Sequence, residues 1–168
     1  MKKNETTLFS GLYLGEYDHT LDPQSRVSFP SEWRNHEGET ELVLIPARGK
    51  ALILLPLATF LEFVNKAKSQ AIANPAMQMA FAFLGANSRQ CRCDRQGRIA
   101  LDRKMLERIG VSGTLKLIGA VTHIRLCAPE NWQNPSDEGA MDAYLDEIRK
   151  IGDASPDLQA LLHGMMGK

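Results

Sequence analysis

No stretch of this chain is apolar for the roughly 18 residues that a membrane-spanning helix needs. The longest apolar run, Ala51-Leu52-Ile53-Leu54-Leu55-Pro56, is the length of a strand. The leader Met1–Thr7 carries basic residues with no apolar segment behind them, so no signal peptide is expected and the cytoplasm is the default compartment. Cysteine is scarce, with three in 168 residues. Cys91 and Cys93 lie two apart on a predicted strand and read as small buried hydrophobes. A zinc site would need two further soft ligands at suitable spacing. His19, His36, His123 and His163 form no ligand pair, and Cys127 has no evident partner. There is no nucleophile–base arrangement and no phosphate-cradling glycine loop, so neither an enzyme nor a cofactor is expected.

Net charge is also missing: 20 basic residues balance 20 acidic ones. The average conceals a division. Residues 86–108 hold seven bases (Arg89, Arg92, Arg95, Arg98, Arg103, Lys104, Arg108) against three acids, a local balance of +4. Residues 130–168 hold eight acids against three bases, a balance of −5. Local potential decides what docks on a given face, and a basic centre suits a polyanion.

What the chain has is a repeat. Asp22-Pro23-Gln24-Ser25-Arg26 returns as Asp94-Arg95-Gln96-Gly97-Arg98, 72 residues later. An alternating apolar run follows each Arg, Val27-Ser28-Phe29 and then Ile99-Ala100-Leu101. The same offset relates Ala51–Leu55 to His123–Cys127, and Phe60 to Trp132. One unit built twice is the economical reading. Tyr17, His19 and Leu21 share one parity, which predicts a half-buried strand. Asp22-Pro23 starts a turn, and Gly97 supplies the left-handed residue that closes such a hairpin loop. Pro30–Arg34 and Asp102–Ile109 read as short helix starts, the second stopped by Gly110. Strands are predicted at Leu42–Ile45, Leu52–Leu55, Leu115–Ile118 and Ile124–Cys127.

Each half is therefore strand, strand, short helix, strand, strand. Helices come next at Leu57–Ile72, with Leu57, Phe60, Leu61, Val64 and Ala67 at helical spacing, and at Met77–Leu84 after the break at Asn74-Pro75. A further amphipathic helix is predicted at Ala140–Ile151, bearing Met141, Tyr144, Leu145 and Ile148. The expected class is mainly β with short helices (α+β), the halves interlocked into a barrel-like body. The segments are an N-terminal extension at 1–11, a first half at 12–56, a helical linker at 57–85, a second half at 86–129, and a helix with an acidic tail at 130–168.

Parity sets Arg26 and Ser28 opposite Val27 and Phe29, and Arg98 and Ala100 opposite Ile99 and Leu101. Both arginines should project outward beside small neighbours. A guanidinium fork there can pair with guanine O6 and N7 or grip a phosphate. Asp22 and Asp94 sit across each hairpin to hold that fork. Arg92, Arg95, Arg103 and Lys104 would add phosphate attraction, and Arg34 is a further candidate contact. Trp33 and Trp132 read as packing residues.

The run Gly15–Asp22 through Arg26, with Phe29-Pro30 and Trp33-Arg34, resembles the MraZ family of bacterial transcriptional regulators. The second half fits through Cys93–Ile99, Leu115–Gly119 and Trp132. The resemblance covers residues 13–135. It implies tandem AbrB-like (SpoVT/AbrB) halves forming a pseudo-dimer from swapped hairpins, and ring-shaped homo-oligomers. It also implies binding to short direct repeats of double-stranded promoter DNA, often repressing the protein's own division and cell-wall operon. The place of action would be the nucleoid, and no membrane or small-molecule substrate is implied. In the family the Asp-x-x-x-Arg motifs are tied to DNA contact, here Asp22 with Arg26 and Asp94 with Arg98. Three positions depart from the family pattern: Ser25 where Gly is usual, Asp102 where Pro is usual, and Leu106 where Arg is usual. The competing reading is an oligomeric scaffold or antitoxin-like partner binder without specific DNA readout.

Overall fold

The computed structural model describes residues 12–36, 38–134 and 138–152. The expected leader at 1–11 and the acids Asp137, Asp153 and Asp157 of the expected tail lie outside them. Two compact units divide at Trp132/Gln133.

In the first unit the chain runs β1 (Glu16–Thr20), β2 (Arg26–Ser28), a 3-10 turn (Ser31–Trp33), β3 (Glu41–Ala47), β4 (Ala51–Pro56), α1 (Leu57–Ala73) and α2 (Pro75–Asn87). It continues with β5 (Arg89–Arg92), β6 (Arg98–Ala100), α3 (Arg103–Arg108), β7 (Thr114–Gly119), β8 (Ile124–Cys127) and a second 3-10 turn (Pro129–Asn131). The second unit contains α4 (Glu138–Gly152), on which Met141, Tyr144 and Ile148 are exposed.

The order strand, strand, helical turn, strand, strand is present twice, the turn being 3-10 in the first half and α-helical in the second, and the pairing joins the halves. Six strands form one antiparallel sheet in the order β1-β7-β8-β4-β3-β5, while β2 and β6 form a two-stranded ribbon. Replacing each strand by its counterpart four places on turns that order into its own reverse. Thus β1 of the first half lies on β7 of the second, and β5 of the second lies on β3 of the first. The register puts Asp18 opposite Lys116, and Lys116 Nζ lies 3.0 Å from that carboxylate. The class is α+β as expected, but where a barrel-like body was expected no closed barrel is found. Edge strands β1 and β5 do not pair with each other among the described residues, so the assembly is one open sheet plus the ribbon.

Alternation explains where the core sits. Val27, Phe29, Ile99, Leu42, Leu44, Leu52, Leu54, Leu115, Leu117, Ile124 and Leu126 are all sealed from solvent. Burying each such side chain contributes about 1.5–3 kcal/mol relative to leaving it in water. Trp33 closes one end of this core, edge-on to Tyr13, Tyr17 and Phe29 at centroid distances of 5.7, 5.1 and 5.9 Å. Its indole N–H donates to the Leu14 carbonyl. Cys91 is buried in the same cluster, and that burial, with the nearby Asp102 charge, pushes its thiol up to about 11. It is a packed hydrophobe, as its spacing suggested. Among the described residues no cluster of metal ligands occurs and no helix is long and apolar enough to cross a membrane.

The helices differ from expectation in detail. Asn74 ends α1 and caps α2, its side chain accepting the N–H groups of Ala76 and Met77, so α2 begins at Pro75 rather than Met77. Phe60, Val64 and Ala67 are partly covered and Ala71 is buried, but Leu61 faces water. Helix α2 buries no residue at all, and Met79 and Phe83 stand 70% and 62% exposed. In the second half Asp102 accepts the Met105 N–H and so caps a true helix. Pro30, at the corresponding place in the first half, has no side-chain acceptor, and only a 3-10 turn forms.

Candidate nucleic-acid interface

The copied pentapeptides fold into the same loop. In the first, Asp22 Oδ1 accepts the N–H groups of Gln24 and Arg26, each at 2.9 Å. In the second, Asp94 Oδ1 accepts those of Gln96 and Arg98, also at 2.9 Å. Backbone bonds close both loops: Asp22 N–H to Arg26 C=O with Ser25 N–H to Asp22 C=O, and Asp94 N–H to Arg98 C=O with Gly97 N–H to Asp94 C=O. The fourth residue is left-handed in each, with φ of 58° at Ser25 and 75° at Gly97. Glycine adopts this conformation without steric cost; serine does so at a cost of about 1 kcal/mol. Short-range acceptors and one left-handed residue therefore set the loop from its own sequence.

The ribbon joins the loops. Arg26 faces Ala100, Val27 faces Ile99, and Ser28 faces Arg98. Val27 and Ile99 are buried, so the opposite face, bearing Arg26, Ser28, Arg98 and Ala100, is the outer one. The bonds Leu101 N–H to Ser25 C=O and Phe29 N–H to Gly97 C=O extend the ladder into both loops. The two arginines thus share one face as a diagonal pair, with side chains 33% and 30% exposed.

Each guanidinium is held by its own loop. Arg26 Nε donates to Asp22 Oδ2 at 2.6 Å, and its Nη2 to Gln24 Oε1 at 3.2 Å. Arg98 Nε donates to Asp94 Oδ2 at 3.2 Å, and its Nη1 lies 3.9 Å from Asp22 Oδ2. Asp22 is therefore the hub of the pair, since both arginines converge on it. Removal from water pushes the Asp22 carboxyl up, but the amides of Arg26 and Gln24 with the Arg26 side chain outweigh this and hold it below the ordinary value. At Asp94 the Arg98 amide is the leading cause of a similar lowering, opposed by desolvation and aided by the Gln96 amide and the Arg98 charge. Both aspartates stay ionised at neutral pH. The guanidinium nitrogens not engaged by them can meet an acceptor from outside.

The other sequence candidates part company. Arg103 Nη2 donates to the Pro23 carbonyl and so lies over the first loop. Arg95, at the tip of the second loop, and Lys104 are exposed and have no ionic partner among the described residues. Arg92 is diverted, pairing with Glu41 at 2.9 Å and Glu39 at 3.6 Å along the β3–β5 edge. Its strand position gave no sign of those two acids. Arg34 directs Nε and Nη2 to the Phe29 carbonyl, at 2.9 and 2.6 Å. Arg89 bonds Asp102 and the carbonyls of Ala86 and Ser88. Gln24 and Gln96, at corresponding loop positions, are exposed polar groups that sequence reasoning passed over. Their place within the copied pentapeptide was the available signal.

Comparison with known proteins finds likeness to one family. A family described as "MraZ protein, putative antitoxin-like" matches residues 12–81. Proteins named transcriptional regulator MraZ are similar over far more of the chain. The one from Lachnoclostridium phytofermentans is 27% identical over 141 residues, 84% of this chain and 98% of that protein. Those from Caldicellulosiruptor saccharolyticus and Clostridium acetobutylicum are 28% and 23% identical, each over 84% of this chain and 99% of their own length.

Proposed function

From the premise that this chain is a member of the MraZ family, we propose that it is a sequence-specific DNA-binding transcriptional regulator. The carrying observation is the doubled loop, which sets Arg26 and Arg98 on the outer face of one ribbon. A two-stranded ribbon fits the major groove, and each guanidinium fork can take guanine O6 and N7. Diagonal partners on such a ribbon sit about 7–8 Å apart, roughly two base-pair steps. Asp22 and Asp94 hold the forks before DNA arrives, which lowers the ordering cost of contact. Arg95, Arg103 and Lys104 then meet phosphates, supplying affinity without sequence information.

The halves at 12–56 and 86–129 act as a tandem AbrB-like pseudo-dimer, with 57–85 as linker and 130–168 as tail. The exchange of β1 and β5 between halves supports that reading. One protomer offers one ribbon, so short direct repeats call for several protomers. Leu61, Phe63, Ile72, Met79 and Phe83 leave a large apolar area on α1 and α2 exposed, which supports ring-shaped self-assembly through these helices. Assembly raises avidity for repeated sites by about 100-fold or more. The operator would lie upstream of the protein's own division and cell-wall operon, with repression as the outcome and the cytoplasmic nucleoid as the place of action. The same exposed helices favour a second reading, an antitoxin-like scaffold whose partner covers α2.

Footprinting on the DNA upstream of the gene separates the two. The regulator reading expects protection of short, evenly spaced direct repeats, and loss of protection when their spacing is changed by half a helical turn. Uniform, spacing-independent protection would leave only non-specific binding and favour the scaffold.

A further inference from the structure

The two loops are copies, but what supports them is not. An added Cβ on Gly97 would fall on the carbon and terminal nitrogens of the Arg34 guanidinium. That guanidinium rests in the space a side chain would take, while donating twice to the Phe29 carbonyl. Phe29 in turn donates its N–H to the Gly97 carbonyl, so Arg34 spans both strands at the base of the second loop. Moving 72 residues on, Arg34 becomes Leu106 and Gly97 corresponds to Ser25. Both are buried, at 2% and 8% exposure. Beside them a groove of about 440 Å³ remains, with Asp22, Arg103 and Glu107 among its lining. A side chain on the fourth loop residue and a guanidinium beneath it exclude one another. Each loop has one of the two: the guanidinium of Arg34 with Gly97 at the second loop, and the side chain of Ser25 with Leu106 at the first.

We propose that Arg34 is a positioning residue for the second loop rather than a DNA contact, and that the Gly97–Arg34 seat makes the two arginine loops unequal. The seat fixes the frame from which Arg98 is presented. At the first loop Ser25 and Leu106 line the groove instead and Arg103 donates to the Pro23 carbonyl, so Arg26 reads DNA from a more adaptable frame. This rests on the regulator reading for its consequence, but not for its geometry.

A double-mutant cycle on Arg34→Ala and Gly97→Ala decides it, read first in thermal unfolding and amide exchange at Asp94–Arg98. Gly97→Ala evicts the guanidinium, so the combined loss should fall short of the two single losses added together. Simple additivity would overturn the seat, whether or not the protein binds DNA. The reciprocal pair gives a gain to look for. Ser25→Gly with Leu106→Arg should raise the unfolding midpoint and protect the amides of residues 22–26, while Leu106→Arg alone should lower it. A double variant no better than the sum of its singles would also overturn the seat.

On operator DNA, Arg34→Ala should weaken specific binding about tenfold, as expected when one bidentate base contact is misplaced. It should leave the slope of log K against log salt unchanged. A slope shallower by about 0.9 would make Arg34 a phosphate contact and refute the positioning role. Should the unaltered protein bind no operator, the regulator reading fails, and the unfolding cycle still decides the seat.

Discussion

On the proposed DNA-binding reading, salt dependence offers a quantitative test of which cations meet phosphate. Seven basic residues were candidates from their positions in the sequence. Arg26 and Arg98 are held by Asp22 and Asp94 and are assigned to bases. Arg92 is neutralised by Glu41 and Glu39, and Arg34 is spent on the Phe29 carbonyl. Arg95, Arg103 and Lys104 remain, the first and last unpaired among the described residues and Arg103 held only by a neutral carbonyl. Three phosphate contacts per protomer give a slope of log K against log salt of about −2.7, at about −0.9 per contact. Raising salt from about 50 to 200 mM should then weaken binding about 40-fold. Seven contacts would instead give a slope of about −6 and a loss of several thousand-fold. Fluorescence anisotropy with a single-repeat duplex measures this directly. Arg95→Ala and Lys104→Ala should each make the slope shallower by about 0.9, while Arg92→Ala should leave it unaltered. A slope near −6, or one indifferent to both Arg95 and Lys104, would refute this division of roles.

The geometry makes three further outcomes testable. A Cβ on Gly119 would stand 2.6 Å from the Tyr13 carbonyl carbon and 2.7 Å from the Leu14 nitrogen, both backbone atoms. Gly119→Ala should therefore cost about 1–3 kcal/mol in urea unfolding and expose the Tyr13 and Val121 amides to exchange, whereas Gly113→Ala, with open space around it, should cost far less. The lowered carboxyls of Asp22 and Asp94 bind fewer protons folded than unfolded, so stability should rise with pH through the acid range. Their contribution is whole above the ordinary carboxylate value of about 4 and lost as pH falls through the lowered values. A melting-temperature profile below about pH 4 should be flatter for the double variant Asp22→Asn/Asp94→Asn, and an identical profile would refute the linkage. Phe83→Asp on α2 should weaken self-association about tenfold or more in sedimentation without lowering the melting temperature. An unchanged oligomer would move the protomer contact off that helix.

The parts of the site legible in sequence are those with local causes. The parity of Tyr17, His19 and Leu21 places β1, and the Asp-to-Arg spacing forms each loop because its acceptor and donors lie within four residues. Asn74-Pro75 announces a helix break because the Asn74 side chain caps the first turn of α2. Long-range features escaped. The β1–β7 and β3–β5 pairings each bring together residues from different halves, and the edges left by that exchange do not close into the expected barrel. Arg34 looked like an open cation because its seat, Gly97, is remote in the chain. Arg92 looked free because Glu39 and Glu41 reach it only once β5 has crossed to β3. Leu61 satisfied the helical period but faces water, since α1 has little of the first unit to pack against.

The proposed function turns on two outward guanidinium groups, Arg26 and Arg98, reading one duplex together. The most direct measurement is the affinity of Arg26→Ala, Arg98→Ala and the double variant for a single-repeat duplex and for the same duplex with the repeat scrambled. Each single variant should lose about tenfold or more on the repeat and little on the scrambled duplex, and the double variant should bind the two alike. Preference for the repeat that survives in the folded double variant would contradict this and put recognition elsewhere on the protein.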